Sequence, residues 1–212
     1  MLFRSGGADG RYLSTGHLLY AVGGTVFAVP FDAQRLAVTG APVSVIASVR
    51  RSAGRQMGTM QVAVSDNGTL AYVPGFASLA AGAQGLVIGS ASTGPQALKI
   101  PTGDYAQPRV SPDGTVLAVA RRDAEGSDIF TYDLSGSNEM RRLTFGGQSR
   151  YPVWSADGTR VAFQSARESA RGVFWQAADG SGPLEQLTTS AEGEEHLPES
   201  WSRNGQIGRA HV

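Results

Sequence analysis

Two acidic groupings offer the most obvious chemistry in this sequence. Glu192, Glu194, Glu195 and His196 crowd one short loop. Carboxylate and imidazole ligands that close could hold a divalent cation if the loop folded around it. Solvated loop charge accounts for them as well, and is the reading adopted. Asp123, Glu125, Ser127 and Asp128 surround Gly126. Acids alternating beside a glycine resemble part of a calcium loop, but its full spacing and distal bidentate glutamate are missing. A polar hairpin loop is expected there. No metal site, cofactor site or cofactor is assigned.

Catalytic constellations are not legible either. A nucleophile elbow requires Gly-x-Ser-x-Gly at a strand-to-helix turn, and the nearest polar cluster, Gly89-Ser90-Ala91-Ser92-Thr93-Gly94, has the wrong spacing. It reads as a Gly/Ser turn. His17 and His196 have no visible partners for a Ser-His-Asp relay. The Gly-rich loop, paired lysine and catalytic-loop aspartate of a kinase are also missing. The chain is therefore expected not to be an enzyme in itself, with any activity residing in another domain.

Tyr132, Tyr151, Trp154, Phe163, Phe174, Trp175 and Trp201 concentrate in the second half. Trp154 and Trp201 each directly precede a serine of a recurring turn, and a repeated slot implies a repeated packing role. Exposed aromatics would instead suggest a partner surface; packing is the expectation. The pairs Arg121-Arg122 and Arg141-Arg142 could line one face and meet an acidic partner, but pairs so short read as surface charge.

The elements that must position these residues are announced by the turns. Ser65-Asp66-Asn67-Gly68, Ser111-Pro112-Asp113-Gly114, Ser155-Ala156-Asp157-Gly158 and Ser202-Arg203-Asn204-Gly205 share one pattern, Ser-x-Asp/Asn-Gly, with glycines 46, 44 and 47 residues apart. A period in the forties with strand-like flanks marks blades arranged round an axis. Asn67, Gly68, Asp113, Gly114, Asp157, Gly158, Asn204 and Gly205 are assigned as structural turn residues. Asp/Asn-Gly tolerates the positive φ of a tight hairpin, and Pro112 presets φ one position earlier.

Each turn joins a proline-bearing extended stretch (106–110, 150–154, 196–201) to a second strand (115–119, 159–163). Proline suits a strand start or an edge. The second strands each set a small alanine between larger apolar residues. A third strand follows (128–134, 172–176), then a short fourth ending in Leu-Thr (141–144, 185–188). Four antiparallel strands make a propeller blade. Upstream, 16–21, 25–29, 42–46, 68–73, 86–89 and 96–100 fit the scheme with more decay. The expected fold is all-β, a partial β-propeller with blades at about 11–50, 60–100, 106–145 and 150–190 and the start of another at 196–206.

Glycine at 28 of 212 residues agrees with many turns. A formal net charge of zero offers no motive for nucleic acid or an anionic membrane, and no apolar run reaches the length of a membrane span. Without cysteine, disulfides and thiolate metal sites are excluded. Residues 1–5 and 207–212 read as translated sequencing adapters, so 6–206 is expected to be an incomplete propeller domain from a longer gene. Unpaired edges and uncovered faces would then favour self-association.

The units Gln107–Thr115 and Tyr151–Thr159, with the closers Leu143-Thr144 and Leu187-Thr188, resemble TolB-type propeller repeats over about 60–206. Thr15–Ala21 and Gly24–Asp32 are similar to the propeller region of bacterial receptor-like serine/threonine kinases. Related propellers also precede the hydrolase domain in prolyl-oligopeptidase-like peptidases. The resemblance implies a non-catalytic, extracytoplasmic binding or sensing module of a longer bacterial protein, engaging a protein partner or small ligand on its face. The alternative it implies is the accessory propeller of a multidomain enzyme, sensing for a kinase or gating a peptidase. The matching residues are blade scaffold, so no ligand site is carried across.

Overall fold

A computed structural model describes residues 8–51, 59–75, 85–90, 93–146, 148–167, 170–202 and 206–211. Among these there is no helix, and nothing long and apolar enough to cross a membrane as one. The chain forms two compact units, Met1–Val62 with Tyr72–Ala81, and Ala63–Ala71 with Gly82–Val212.

The first unit is built on β1 (Ala8–Leu13), β2 (His17–Val22), β3 (Thr25–Asp32), β4 (Ala37–Val38) and β5 (Val43–Ile46). They run β1-β2-β3-β4 in one antiparallel sheet, with β5 pairing β3 as a fifth strand. β1 and β4 have no counterpart among the strands read from the sequence. A further four-stranded sheet, β6 (Val62–Val64), β7 (Leu70–Tyr72), β8 (Val87–Gly89) and β9 (Gln96–Ala97), keeps chain order, and its residues apart from Val62 and Tyr72 belong to the second unit.

The second unit holds the regular blades. β10 (Asp104–Val110), β11 (Val116–Asp123), β12 (Gly126–Asp133) and β13 (Met140–Arg142) form one four-stranded sheet in chain order. β14 (Ser149–Trp154), β15 (Arg160–Arg167), β16 (Ala170–Ala177) and β17 (Glu185–Gln186) form the next. β18 (His196–Trp201) and β19 (Ile207–His211) make a final hairpin. Residues 207–211 thus form a paired strand.

Strand alternation explains how these blades share a core. Side chains along β11 point to opposite faces. Ala118 and Ala120 share one face and join Ile129 and Leu143 of their own blade with Trp154, Val161, Phe163 and Phe174 of the following blade in one buried cluster. Leu117 and Val119 are buried on the other face. The alanine between larger apolar residues therefore has a spatial meaning: it makes room for the aromatic side chains of the next blade. Each large side chain taken from water contributes roughly 1.5–3 kcal/mol, so the two blades stabilise this cluster jointly.

Candidate binding face and the repeat turns

Three of the four repeat turns lie among the described residues and have the same construction. The Gly68, Gly114 and Gly158 N–H groups donate to the carbonyls of Ser65, Ser111 and Ser155 at 3.1, 2.9 and 3.0 Å. The serine hydroxyl donates at 2.5 Å to the Oδ1 of Asn67, Asp113 or Asp157. That same oxygen accepts the N–H of Thr69, Thr115 or Thr159. Only the glycine takes positive φ, +77° at Gly114 and +71° at Gly158. The Asp or Asn is present for its acceptor oxygens. Asn204 and Gly205 lie outside the described residues, although Ser202 N–H donates to Gln206 O at 2.7 Å.

The turns also touch one another. Asn67 Nδ2 donates to Asp113 O at 2.6 Å, close enough that a Cβ at Gly114 would stand 2.3 Å from that nitrogen. Pro112 Cδ lies 3.6 Å from the corresponding point on Gly158. A turn that reads as local chemistry is therefore also a contact between blades.

Hydrogen bonds to the ionised form lower the carboxyl pKa values. The Ser155 hydroxyl, then the Thr159 backbone and side chain, bring Asp157 down to about 2. Ser111 and then Thr115 lower Asp113, and Ser135 and Ser137 hold Asp133 well below the carboxylate range. A group depressed in the folded state stabilises the fold above its unfolded pKa, and that contribution is lost as pH falls through the folded value. For Asp157 the window runs from the ordinary 3.8 down to about 2. Urea midpoints measured across that window should fall less in Asp157→Asn than in the parent chain. Parallel pH profiles would refute this role for the Asp157 carboxylate.

The first strand of each regular blade is a sheet edge, and β10, β14 and β18 pack in succession. Each is bulged against its partner, between Ala106 and Arg109, Arg150 and Val153, and Pro198 and Ser200. Pro108, Pro152 and Pro198 sit at these bulges, where no ladder N–H is required. Gln107 and Tyr151 occupy the left-handed region at φ 54° and 57°. Gln107 Oε1 accepts the Tyr151 N–H at 3.0 Å, and Trp154 Nε1 donates to Arg109 O at 2.8 Å. Bulge and bonds together fix which side chains each first strand presents.

The acidic groupings do not assemble. Glu192, Glu194 and Glu195 are exposed. His196 is buried, with Nδ1 2.9 Å from Thr188 Oγ1 and Nε2 3.9 Å from Glu194. Thr188 Oγ1 also accepts the Val173 N–H at 3.0 Å, so one hydroxyl joins the blade's third strand to His196. Asp123 accepts the Glu125 N–H in the hairpin loop. Asp128 turns inward, taking the Thr144 hydroxyl at 2.7 Å and Arg142 Nη2 at 2.5 Å. Among the described residues no three His, Cys, Asp or Glu side chains are grouped to hold a metal ion. The Asp128–Thr144–Arg142 set, buried at Asp128 and Thr144 and half-buried at Arg142, is brought together by the fold from three residues with no shared local motif.

The other candidates take structural positions. His17 Nδ1 lies 3.2 Å from Thr15 Oγ1. Ser90 and Thr93 hydroxyls lie 3.0 Å apart in a turn whose Ala91 and Ser92 fall outside the described residues. Arg121 covers the Phe130 ring, Arg141 donates to Asp179 O at 2.6 Å, and Arg122 is exposed. The paired arginines thus do not form one basic stripe. Tyr132, Trp154, Phe163 and Phe174 are buried; Tyr151, Trp175 and Trp201 are half-buried, with Arg160 3.8 Å above the Trp175 ring.

No family model and no curated protein matches the chain. Solved structures do. One assigned as TolB from Agrobacterium tumefaciens superposes with a TM-score of 0.71 at 21% identity, over 97% of this chain and 70% of that one. TolB from Acinetobacter baumannii gives 0.66 at 18% identity, over 94% of this chain and 47% of its own. A prolyl endopeptidase structure gives 0.61 at 15% identity, over 92% of this chain and 31% of its own. At such identities the likeness concerns fold alone. Repeated Ser-x-Asp/Asn-Gly turns, four-stranded antiparallel blades and these superpositions together make this a TolB-like β-propeller fold.

Proposed function

We propose that this chain is a non-catalytic propeller module that binds a protein partner or small ligand at its face or central channel. It works outside the cytoplasm as an incomplete propeller domain, about 6–206, of a longer bacterial protein. One observation carries the reading: each first strand is bulged, whereas the polar and aromatic side chains carried at the bulges differ. Gln107 and Arg109, Arg150 and Tyr151, and Glu199 and Ser200 occupy the bulged stretches of β10, β14 and β18. A constant scaffold carrying varied polar and aromatic groups is what selective recognition needs. The serine, aspartate and threonine side chains of the turns are meanwhile engaged in holding the blades.

A second reading, accessory propeller of a multidomain enzyme, is favoured by the superposition on a prolyl endopeptidase. The kinase-sensor form rests on the resemblance of 15–21 and 24–32. Both readings assign chemistry to another domain, so the purified chain should turn over neither ester nor peptide substrates. Hydrolysis that persists through successive purification steps would eliminate the module reading. Ligand-dependent rises in Tm from a peptide and metabolite panel should disappear in Tyr151→Ala if the first strands form the site.

A further inference from the structure

The outer edge of the first sheet differs from those of the regular blades. β13 ends a blade with Met140-Arg141-Arg142 and β17 with Glu185-Gln186, so both edges are short and charged. Such charges deter edge-to-edge pairing. β5 has the sequence Val-Ser-Val-Ile, and residues 36–48 contain no charged side chain at all. Leu36 is 78% exposed, Val38 43%, Val43 64% and Val45 49%. Five of the eight large hydrophobics exposed among the described residues, Tyr12, Val22, Val38, Val43 and Val45, lie on strands of this one sheet. Among the described residues β5 pairs only with β3. Among the described residues one side of its backbone has no ladder partner, and Val43 and Val45 are exposed.

We propose that β5 is a docking edge for β5 of a second copy of this chain, the two strands pairing antiparallel across a two-fold axis. A two-fold contact must be self-complementary, and an uncharged strand opposite itself brings no like charges together. An occupant of either charge would find no counter-ion along 36–48. A neutral β-branched strand fits the edge, and this chain supplies one. Backbone hydrogen bonds extend the sheet while Val43 and Val45 leave water. Pro42 cannot donate to a ladder, which confines the pairing to Val43–Ile46. The contact thereby assigns a specific strand to the self-association expected from open edges.

Absence of cysteine makes the test direct. The chain is measured by light scattering at micromolar concentrations, beside Val45→Lys with its fold checked by circular dichroism. Ser44→Cys and Ser181→Cys, each a lone exposed thiol, are treated with a short thiol-to-thiol cross-linker. A dimer in the parent, a monomer in Val45→Lys, and cross-linking at position 44 about tenfold or more faster than at 181 would establish the edge. The cross-linking comparison stands even if Val45→Lys fails to fold. A monomeric parent would overturn the proposal, as expected if another protein's strand covers β5. Dimers that survive Val45→Lys with an unchanged spectrum, or equal cross-linking rates, would overturn it by assigning association to another surface.

Discussion

Trp154→Ala is expected to destabilise the fold by about 3–5 kcal/mol, the usual cost of truncating a large buried aromatic. Trp154 precedes the turn serine, lies 8% exposed and fills the cluster between two blades. Its ring packs with Ala118 and Ala120 of the preceding blade. Neither alanine can extend into the space it would vacate. The substitution also removes the donor to Arg109 O, a bond between the first strands of the two blades. Urea denaturation followed by circular dichroism measures the loss. Trp154→Phe should recover most of it, since the remaining deficit is one hydrogen bond worth about 1 kcal/mol. A loss for Trp154→Ala no larger than that for half-buried Trp175→Ala would show that the wedge is not packed as described.

Gly172→Ala should cost about 3 kcal/mol or more, beyond ordinary overpacking. Gly172 has φ +150°, a conformation that side chains rarely adopt, and a Cβ there would stand 1.9 Å from Thr188 O. That obstacle is backbone, so no rotamer change relieves it. Thr188 cannot retreat cheaply. Its hydroxyl accepts Val173 N–H, its N–H donates to Val173 O, and His196 of the next hairpin rests on the same hydroxyl. The clash should therefore spread into the following hairpin, with β18 amides losing hydrogen-exchange protection together with those of β17. Near-parent stability in Gly172→Ala would show that this close approach is absent in solution.

Those two sites also mark how far the chain could be read from its residues. Strand positions in the regular blades were legible because turn chemistry is local: Ser, Asp and Gly within four residues make their own hydrogen bonds. The repeated slot of Trp154 and Trp201 pointed to packing for the same reason of periodicity. The strands β1 and β4 carry no turn of that type and have no local signal, whereas β5 falls on the expected 42–46 stretch. Gly172 and Asp128 occupy the same repeat position before an apolar residue, yet nothing adjacent to them foretold a backbone contact in one and an ion pair to a half-buried arginine in the other. The acidic groups of 123–128 divide for a similar reason. Asp123 stays in its hairpin, whereas Asp128 faces inward toward a threonine sixteen residues away.

By itself the sequence determined an all-β chain of repeated antiparallel units, because hairpin geometry and strand alternation depend on neighbours a few residues apart. Tertiary structure decided which face of each strand meets the next blade, where the carboxylates point, which first-strand side chains stand at the bulges and which edge is left apolar. These depend on partners from fourteen to forty-five residues distant, whose approach is governed by packing within and between sheets and not by local backbone preference.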